Sequence, residues 1–226
     1  MREWLNGPGL GWLALIALAG AQAFGLLATP ADRDMGHLQK IMYVHVPAAW
    51  AALVAFFLVF VWSVLYLWRR SARYDGLAVA AAEAGVVFTA LTLTLGSLWG
   101  RPTWGVWWTW DPRLTTTAIL LLIYAGYLAL RAFTDEPDRR ARWSAAVGVL
   151  GFLNVPIVYM SVRWWRTLHQ VQSTPDTLEP TFAWGLRLNA IAFLLLLAYF
   201  IVRRRRVAQL ERRIDARLES AALAGG

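Results

Sequence analysis

The sequence predicts an all-α integral membrane protein with six transmembrane helices and both termini in the cytoplasm. Of its 226 residues, 58% are hydrophobic and 16% are charged, whereas a typical soluble domain is about 45–50% apolar and about 25% charged. A helix needs about 20 mainly apolar residues to cross a bilayer, and six runs of this chain approach or exceed that length. The predicted spans are residues 10–29, 46–68, 77–98, 114–133, 143–162 and 184–202.

The first two runs carry signals at their ends. The first follows Arg2 and contains Ala21–Ala23, which resembles the small-residue pattern of a signal-peptide cleavage site. Its apolar character continues past that point and exceeds the about 7–15 residues of a signal-peptide core, so we interpret it as a retained span. The second run begins near Pro47. Proline suits the first turn of a helix, where its missing N–H group has no partner to lose.

The next three runs carry polar residues with simple structural roles. Glu83 is the one acidic residue inside a predicted span, and we interpret it as a structural residue or a contact to a partner subunit. Asp111 and Pro112 precede the fourth run, where they are typical of a helix N-cap and a first-turn proline. Asn154 and Pro156 in the fifth run are compatible with a kink and a polar contact to a neighbouring helix, and the sequence alone does not decide this point.

The sixth run ends at four consecutive arginines, which open a basic cytoplasmic tail over residues 203–226. Such a cluster is typical of an anchor at anionic membrane lipid. Residues 207–218 are compatible with a short surface helix. We find no internal repeat, so residues 1–226 are predicted to form a single membrane domain.

Lys and Arg residues predict the orientation of the chain. Fifteen of the 22 lie in the N-terminal tail, in the connections 69–76 and 131–142, and in the C-terminal tail, and basic connections favour the cytoplasmic side. The net charge of +8 therefore reflects membrane topology rather than nucleic-acid binding. The opposite, outer face then receives the segment 99–113 and all three histidines, which are His37, His45 and His169.

Five of the fifteen residues in the segment 99–113 are tryptophan. We predict a loop or lip at the membrane edge. An interfacial belt places only about one or two Trp residues at a helix end, so this density favours a platform for a large, flat, partly charged ligand. The platform residues predicted here are Trp99, Trp104, Trp107, Trp108, Trp110 and Asp111, joined by Trp164 and Trp165 at the same depth.

His45 and His169 are candidate axial ligands of haem iron. His45 is predicted at the outer rim, just before the second span. If the fifth helix continues beyond the membrane, Trp165 and His169 share a face at i, i+4 spacing. Neutral imidazole binds haem iron well, and two imidazoles would hold a flat macrocycle from opposite sides. A lone histidine is more often an interfacial residue bound to carbonyls or water, and we keep that interpretation for His37.

Four arginines are candidates for binding the two haem propionates through bidentate hydrogen bonds. An anionic lipid headgroup would suit the same guanidinium groups. The four are Arg101, Arg113, Arg163 and Arg166.

Several chemistries are missing from the sequence. The chain has no cysteine, which excludes thiolate metal sites and thioether attachment of a cofactor, so any haem is of the non-covalent b type. It also has no Walker-type loop, nucleophile elbow or His-Glu-x-x-His motif, and we predict that it is not an enzyme. Two alternatives remain: a b-type electron-transfer subunit, in which His pairs lie inside the spans, and a transporter permease or scaffold with a structural Trp belt.

Three segments carry a resemblance to a known family. Met42–Trp50, Trp99–Arg113 and Val162–Gln170, in this order, resemble the cytochrome c maturation protein C family, also called haem exporter protein C. The central segment looks like the tryptophan-rich WWD motif of haem-handling membrane proteins. The likeness covers roughly residues 40–202.

The resemblance implies a role in c-type cytochrome biogenesis at the periplasmic face of the bacterial inner membrane. Members of the family hold haem transiently and deliver it to a periplasmic haem chaperone, which binds it covalently through its own histidine. They associate with ATP-binding cassette (ABC) transporter subunits and a small single-span subunit in a haem exporter complex. By the family pattern, His45 and His169 are the axial ligands and Trp99–Asp111 is the platform for haem and chaperone.

Overall fold

The computed structural model describes residues 8–171 and 178–224, and nearly all of them are helical. Within these residues, six helices are long and apolar enough to cross a membrane, as predicted. The fifth span consists of two helices, α5 and α6. The helices are α1 (Pro8–Ala23, continued by a π-helical turn, Phe24–Ala28), α2 (Met42–Arg69, preceded by a 3-10 turn, His37–Ile41), α3 (Ala72–Trp104), α4 (Pro112–Ala132), α5 (Pro137–Gly151), α6 (Asn154–Trp164) and α7 (Pro180–Ala224).

Helices α2 and α3 form the centre of the molecule, and α4, α5 and α7 pack around them. Small residues allow this close approach, as is usual between helices in membranes. Ala48, Ala51 and Ala55 of α2 are fully buried or nearly so. Phe56 lies over Gly85 of α3, where a Cβ atom would stand only 2.5 Å from its ring.

The fifth span is broken at residues 152–153, between α5 and α6. Asn154 Nδ2 donates a hydrogen bond of 2.9 Å to the Thr116 carbonyl of α4. Pro156 has no N–H group to offer the preceding turn. The structure therefore shows what the sequence left open: an interrupted span with a polar contact to a neighbouring helix.

Two predicted helix ends are wrong. Helix α3 continues through Trp104, so the connection to α4 holds only residues 105–111. The Thr103 hydroxyl donates back to the Trp99 carbonyl at 2.7 Å, and Gly105, with φ of 81°, terminates the helix in the left-handed conformation that glycine adopts at low cost. Helix α7 runs on to Ala224, so the basic tail continues the last span instead of forming a separate surface helix.

Ion pairs link the helix ends opposite the Trp-rich connection. Arg204 Nε of α7 lies 2.7 Å from a carboxylate oxygen of Glu83, which supports the structural interpretation of that acid. Arg131 of α4 forms a bidentate pair with Asp75 of α3, with N–O distances of 2.6 and 2.9 Å. These contacts fix the relative positions of α3, α4 and α7 at one end of the bundle.

Candidate haem-binding cavity

A cavity opens between α2, α3, α4 and α6 and is closed on one side by the loop after α6. The space within it, including solvent at its open mouth, is about 1180 Å³. His45 and His169 both line it, although 124 positions separate them in the sequence. The tertiary structure thus brings the two predicted ligands to one site. Ala52, Leu53 and Leu120 form part of its apolar interior.

His45 lies inside helix α2 and is buried, so its predicted position at the rim is wrong. The helix begins at Met42 and follows a 3-10 turn, which places Pro47 in the second turn instead of the first. His45 Nδ1 is 3.0 Å from the Thr92 carbonyl of α3. Because a carbonyl only accepts, Nδ1 carries the proton, and the neutral ring keeps a lone pair on Nε2.

Two residues of α3 shape the space around the His45 ring. Gly96 lies directly beneath it, and a Cβ atom there would stand 3.1 Å from His45 Cε1. Trp99 meets the same ring edge-on, with centroids 5.9 Å apart and planes at 85°. Its indole N–H is buried without a hydrogen-bond partner among the described residues. The ring is therefore held by α3 on two sides.

His169 reaches the cavity from a loop, not from a helix. Helix α6 ends at Trp164, and Trp165 has extended backbone with φ of −127° and ψ of 158°. The prediction that Trp165 and His169 share a helical face is therefore wrong. His169 Nδ1 is 2.9 Å from the Gln170 carbonyl, which again assigns the proton to Nδ1 and leaves the lone pair on Nε2.

The pKa of His169 is lowered below the ordinary value of 6.5. Burial is the largest cause, because it disfavours the charged ring. The hydrogen bond to Gln170 raises the pKa, the positive charge of Arg113 lowers it further, and the charge of Asp111 raises it. The net effect keeps the imidazole neutral and able to bind metal at neutral pH.

Asp111 joins the Trp-rich connection to the loop that carries His169. One carboxylate oxygen accepts from Arg113 N at 2.9 Å and caps α4, as predicted, and it also accepts from the Thr167 hydroxyl at 2.8 Å. The other oxygen accepts from Leu168 N at 2.7 Å. Only 7% of Asp111 is exposed, so the carboxylate is a buried tie between two loops.

Of the four predicted propionate ligands, only Arg113 lines the cavity. Its guanidinium donates to the Val158 carbonyl at 2.7 Å and the Tyr159 carbonyl at 3.2 Å. Arg101 donates to the Gly105 carbonyl at 2.6 Å and thereby caps α3. Arg163 and Arg166 lie exposed outside the cavity.

The predicted tryptophan platform separates into two groups. The cavity tryptophans, Trp99, Trp104 and Trp108, line the cavity. The outer tryptophans lie outside it and are exposed by between 49% and 81%; they are Trp107, Trp110, Trp164 and Trp165. The site therefore has an aromatic wall and, separately, an aromatic outer surface.

Several residues that build the site could not be identified from the sequence. Thr92 contributes only its carbonyl oxygen, and a backbone atom leaves no signal in residue type. Met35, from the connection before α2, also lines the cavity. Gly96 could have been found as a lone glycine within an apolar helical run, which often marks a close approach.

The fold and the cavity together define a polytopic membrane protein with a cavity between its helices. The family model of heme exporter protein C (CcmC) matches residues 4–220, and this chain belongs to that family. Its membership confirms the expectation of a haem-handling membrane protein rather than an enzyme.

Individual relatives cover most of the chain. Heme exporter protein C of Bradyrhizobium diazoefficiens is 41% identical over 200 residues, which cover 83% of this chain and 73% of that protein. The protein of the same name from Escherichia coli K12 is 37% identical over 207 residues, with 86% and 81% covered. A putative cytochrome c biosynthesis ccmC-like mitochondrial protein of Marchantia polymorpha is 40% identical over 145 residues, with 64% and 60% covered.

Proposed function

We propose that this chain binds b-type haem in the cavity, at the periplasmic face of the bacterial inner membrane, and delivers it to a periplasmic haem chaperone during c-type cytochrome biogenesis. The arrangement of His45 and His169 is the observation that carries the proposal. Both rings line one cavity, and each has its Nδ1 atom bound to a backbone carbonyl. This second contact is how proteins orient histidines that bind metal through the other nitrogen.

The rest of the cavity suits the two-sided chemistry of haem. Its interior is mainly apolar and would receive the porphyrin edge, whereas Arg113 at the cavity wall would receive a propionate through charge-assisted hydrogen bonds. Arg101, Arg163 and Arg166 lie outside the cavity and remain candidates only for a propionate that reaches its mouth. Because the chain has no cysteine, it holds the haem without a thioether bond and can release it.

Delivery requires a surface on which the chaperone can dock. The outer tryptophans supply one, since large exposed aromatic side chains are typical anchors of protein interfaces. A histidine of the chaperone would displace one axial imidazole. Because this exchange replaces one imidazole with another, the direction must come from covalent capture by the chaperone or from the ATP-driven partner subunits.

The positive-inside rule supports the orientation. The Arg-rich connections and the tail lie at the end of the bundle opposite the cavity mouth, so the mouth faces the periplasm. The ABC transporter subunits and the small single-span subunit of the haem exporter complex complete the set of proposed partners, with anionic lipid at the basic tail.

A b-type electron-transfer subunit is the second candidate, because His45 lies inside a span as the ligands of such subunits do. Membership of the heme exporter protein C family favours haem handling over electron transfer. The exposed outer tryptophans also favour hand-over, which an electron carrier does not need. A redox titration with rapid reduction by a quinol would support the electron-transfer role.

Absorbance spectra of the purified protein test the proposal. We expect a low-spin spectrum with two imidazole ligands in the parent protein, oxidised and reduced, and loss or alteration of that spectrum in both His45→Ala and His169→Ala. His37→Ala is the matched control, because His37 is exposed and lies outside the cavity. An unchanged spectrum in both ligand variants would contradict the proposed site. If the parent protein bound no haem even when haem was supplied in excess, the alternative of a permease or scaffold with a structural Trp belt would be favoured.

A further inference from the structure

The turn of α2 that carries His45 has lost one of its own hydrogen bonds. In an α-helix the N–H group of each residue donates to the carbonyl four residues earlier. Pro47 has no N–H group, so the Tyr43 carbonyl has no donor from within the helix. His45 lies midway between these two residues, and its direction therefore depends on what holds this turn in place.

Gln22 of α1 supplies the missing hydrogen bond. Its Nε2 atom lies 3.3 Å from the Tyr43 carbonyl and 2.7 Å from Oδ1 of Asn189 in α7. Asn189 is fully buried, and its Nδ2 atom donates to the Ala21 carbonyl at 3.1 Å and to the Gly185 carbonyl at 2.9 Å. A buried polar network thus joins the turn of α2 to both flanking helices.

The Tyr43 side chain is held by the same two helices. Its ring is fully buried and lies between Gly25, after α1, and Gly185 of α7. A Cβ atom at Gly25 would stand 2.8 Å from Tyr43 Cδ2, and one at Gly185 would stand 2.5 Å from Tyr43 Cε1. Neither neighbour can carry a side chain unless the ring moves, so the ring and the turn have one position.

We propose that Gln22 is a positioning residue for His45: by donating to the carbonyl that Pro47 frees, it transmits the packing of α1 and α7 to the axial ligand. Gln22 and Asn189 do not line the haem cavity, so they act through the turn and not on the ligand. This inference rests on the proposed haem site. The role of Gln22 is to keep the His45 imidazole at an angle at which His45 and His169 can bind the same iron.

A double-mutant comparison tests the inference, with Gln22→Met and Pro47→Ala made singly and together. Methionine keeps the length of the side chain but cannot donate. Alanine at position 47 restores an N–H donor to the Tyr43 carbonyl, so the loss of Gln22 should matter less there. Gly20→Ala on α1 is the control, because nothing lies within 4 Å of its Cβ position.

In protein loaded with haem, we expect Gln22→Met to shift the ferric low-spin electron paramagnetic resonance signal and to speed haem loss about threefold, the effect of one hydrogen bond between helices in a membrane. Both changes should shrink in the Pro47→Ala background. An unchanged signal and rate, or a change of equal size with and without Pro47, would overturn the inference while leaving the haem site intact.

The haem-free protein gives an independent reading. Diethyl pyrocarbonate modifies neutral imidazole, and mass spectrometry reports its rate at each histidine. We expect faster modification of His45 in Gln22→Met and an unchanged rate at His169. Equal His45 rates in the parent protein and Gln22→Met would refute the positioning role. A parent that binds no haem would refute the proposed function alone, since the modification rates still decide the role of Gln22.

Discussion

At the scale of single residues, the site depends on two imidazole rings whose protons have fixed positions. The Thr92 carbonyl accepts from His45 and the Gln170 carbonyl accepts from His169. A carbonyl cannot donate, so each bond selects one tautomer and leaves Nε2 with its lone pair. The two rings are held by different kinds of backbone, His45 by a helix and His169 by a loop, so we expect His169 to be the more easily displaced of the two proposed ligands.

The lowered pKa of His169 predicts the response of the site to acid. We expect nuclear magnetic resonance titration of the haem-free protein to give a pKa below 6.5 for His169, and Arg113→Gln to raise it, because the variant loses a positive charge that lowers it. As the pH falls, His169 is protonated in the unfolded chain before it is protonated in the folded protein. The stability that the neutral ring contributes is therefore fully present above pH 6.5, and it is lost as the pH falls through the lower pKa of the folded protein.

Arg101→Gln is the control for that titration. It also removes a positive charge, but Arg101 caps α3 and is not among the groups that shift the pKa of His169. A pKa for His169 at or above 6.5 in the parent protein would contradict the prediction, as would an Arg101→Gln shift as large as that of Arg113→Gln.

At the scale of elements, the structure uses helix ends to build the site. Helix α3 ends at Trp104 and α6 ends at Trp164, and the loops that follow meet at Asp111. The cap of α4 and the anchor of the His169 loop are one carboxylate. The start of α4 and the position of the His169 loop are therefore coupled through the side chain of Asp111.

Asp111→Asn separates these two roles. Asparagine caps helices as well as aspartate does. However, its NH2 group would face the Leu168 N–H group, and two donors cannot form a hydrogen bond with each other. A buried donor without its acceptor costs about 1–3 kcal/mol. We therefore expect the His169 loop to loosen and haem to dissociate about tenfold faster or more, which is the rate change that this free energy corresponds to. Circular dichroism should report unchanged helix content.

Glu136→Gln is the matched control for this variant. Glu136 caps α5 in the same way, accepting from Asp138 N and Arg139 N before a first-turn proline, but it has no contact with the His169 loop among the described hydrogen bonds. Equal haem dissociation from both variants would show that Asp111 acts only as a cap.

At the scale of the whole molecule, the bundle has two ends with different tasks. One end opens the cavity and presents the outer tryptophans. The other holds the ion pairs of Glu83 and Asp75 and the extension of α7. Helices α2 and α3 connect the two ends through a core of small residues, and the cavity opens near the Trp-rich connection.

The two groups of tryptophan predict separable defects. Trp107→Ala and Trp110→Ala should keep the haem spectrum and reduce transfer to the chaperone, because these side chains lie exposed outside the cavity. Trp99→Ala and Trp108→Ala should lower haem retention itself. The two measurements are the haem content of the purified protein and the amount of haem covalently bound to the chaperone. A loss of haem content in Trp107→Ala or Trp110→Ala would contradict the distinction between cavity and outer tryptophans.

The ion pair between Glu83 and Arg204 predicts a change in stability without a change in haem binding. The two side chains are 35% and 38% exposed, and such pairs contribute between about 0 and 1 kcal/mol. Glu83→Gln should therefore lower the thermal midpoint only slightly and leave the haem spectrum as in the parent protein. An altered spectrum would mean that the end of α3 near Glu83 communicates with the cavity.

The sequence by itself determined the six spans and the role of Asp111 as a helix cap, and it singled out His45 and His169 as candidate ligands. These follow from local periodicity, composition and motif, which depend on neighbours in the chain. Tertiary packing decided the rest. It placed His45 inside a helix against Thr92, ended α6 before His169, and divided the tryptophans into the cavity tryptophans and the outer tryptophans. It also paired Gln22 with the carbonyl that Pro47 frees, because a backbone group without a partner inside a membrane must find one on a neighbouring helix.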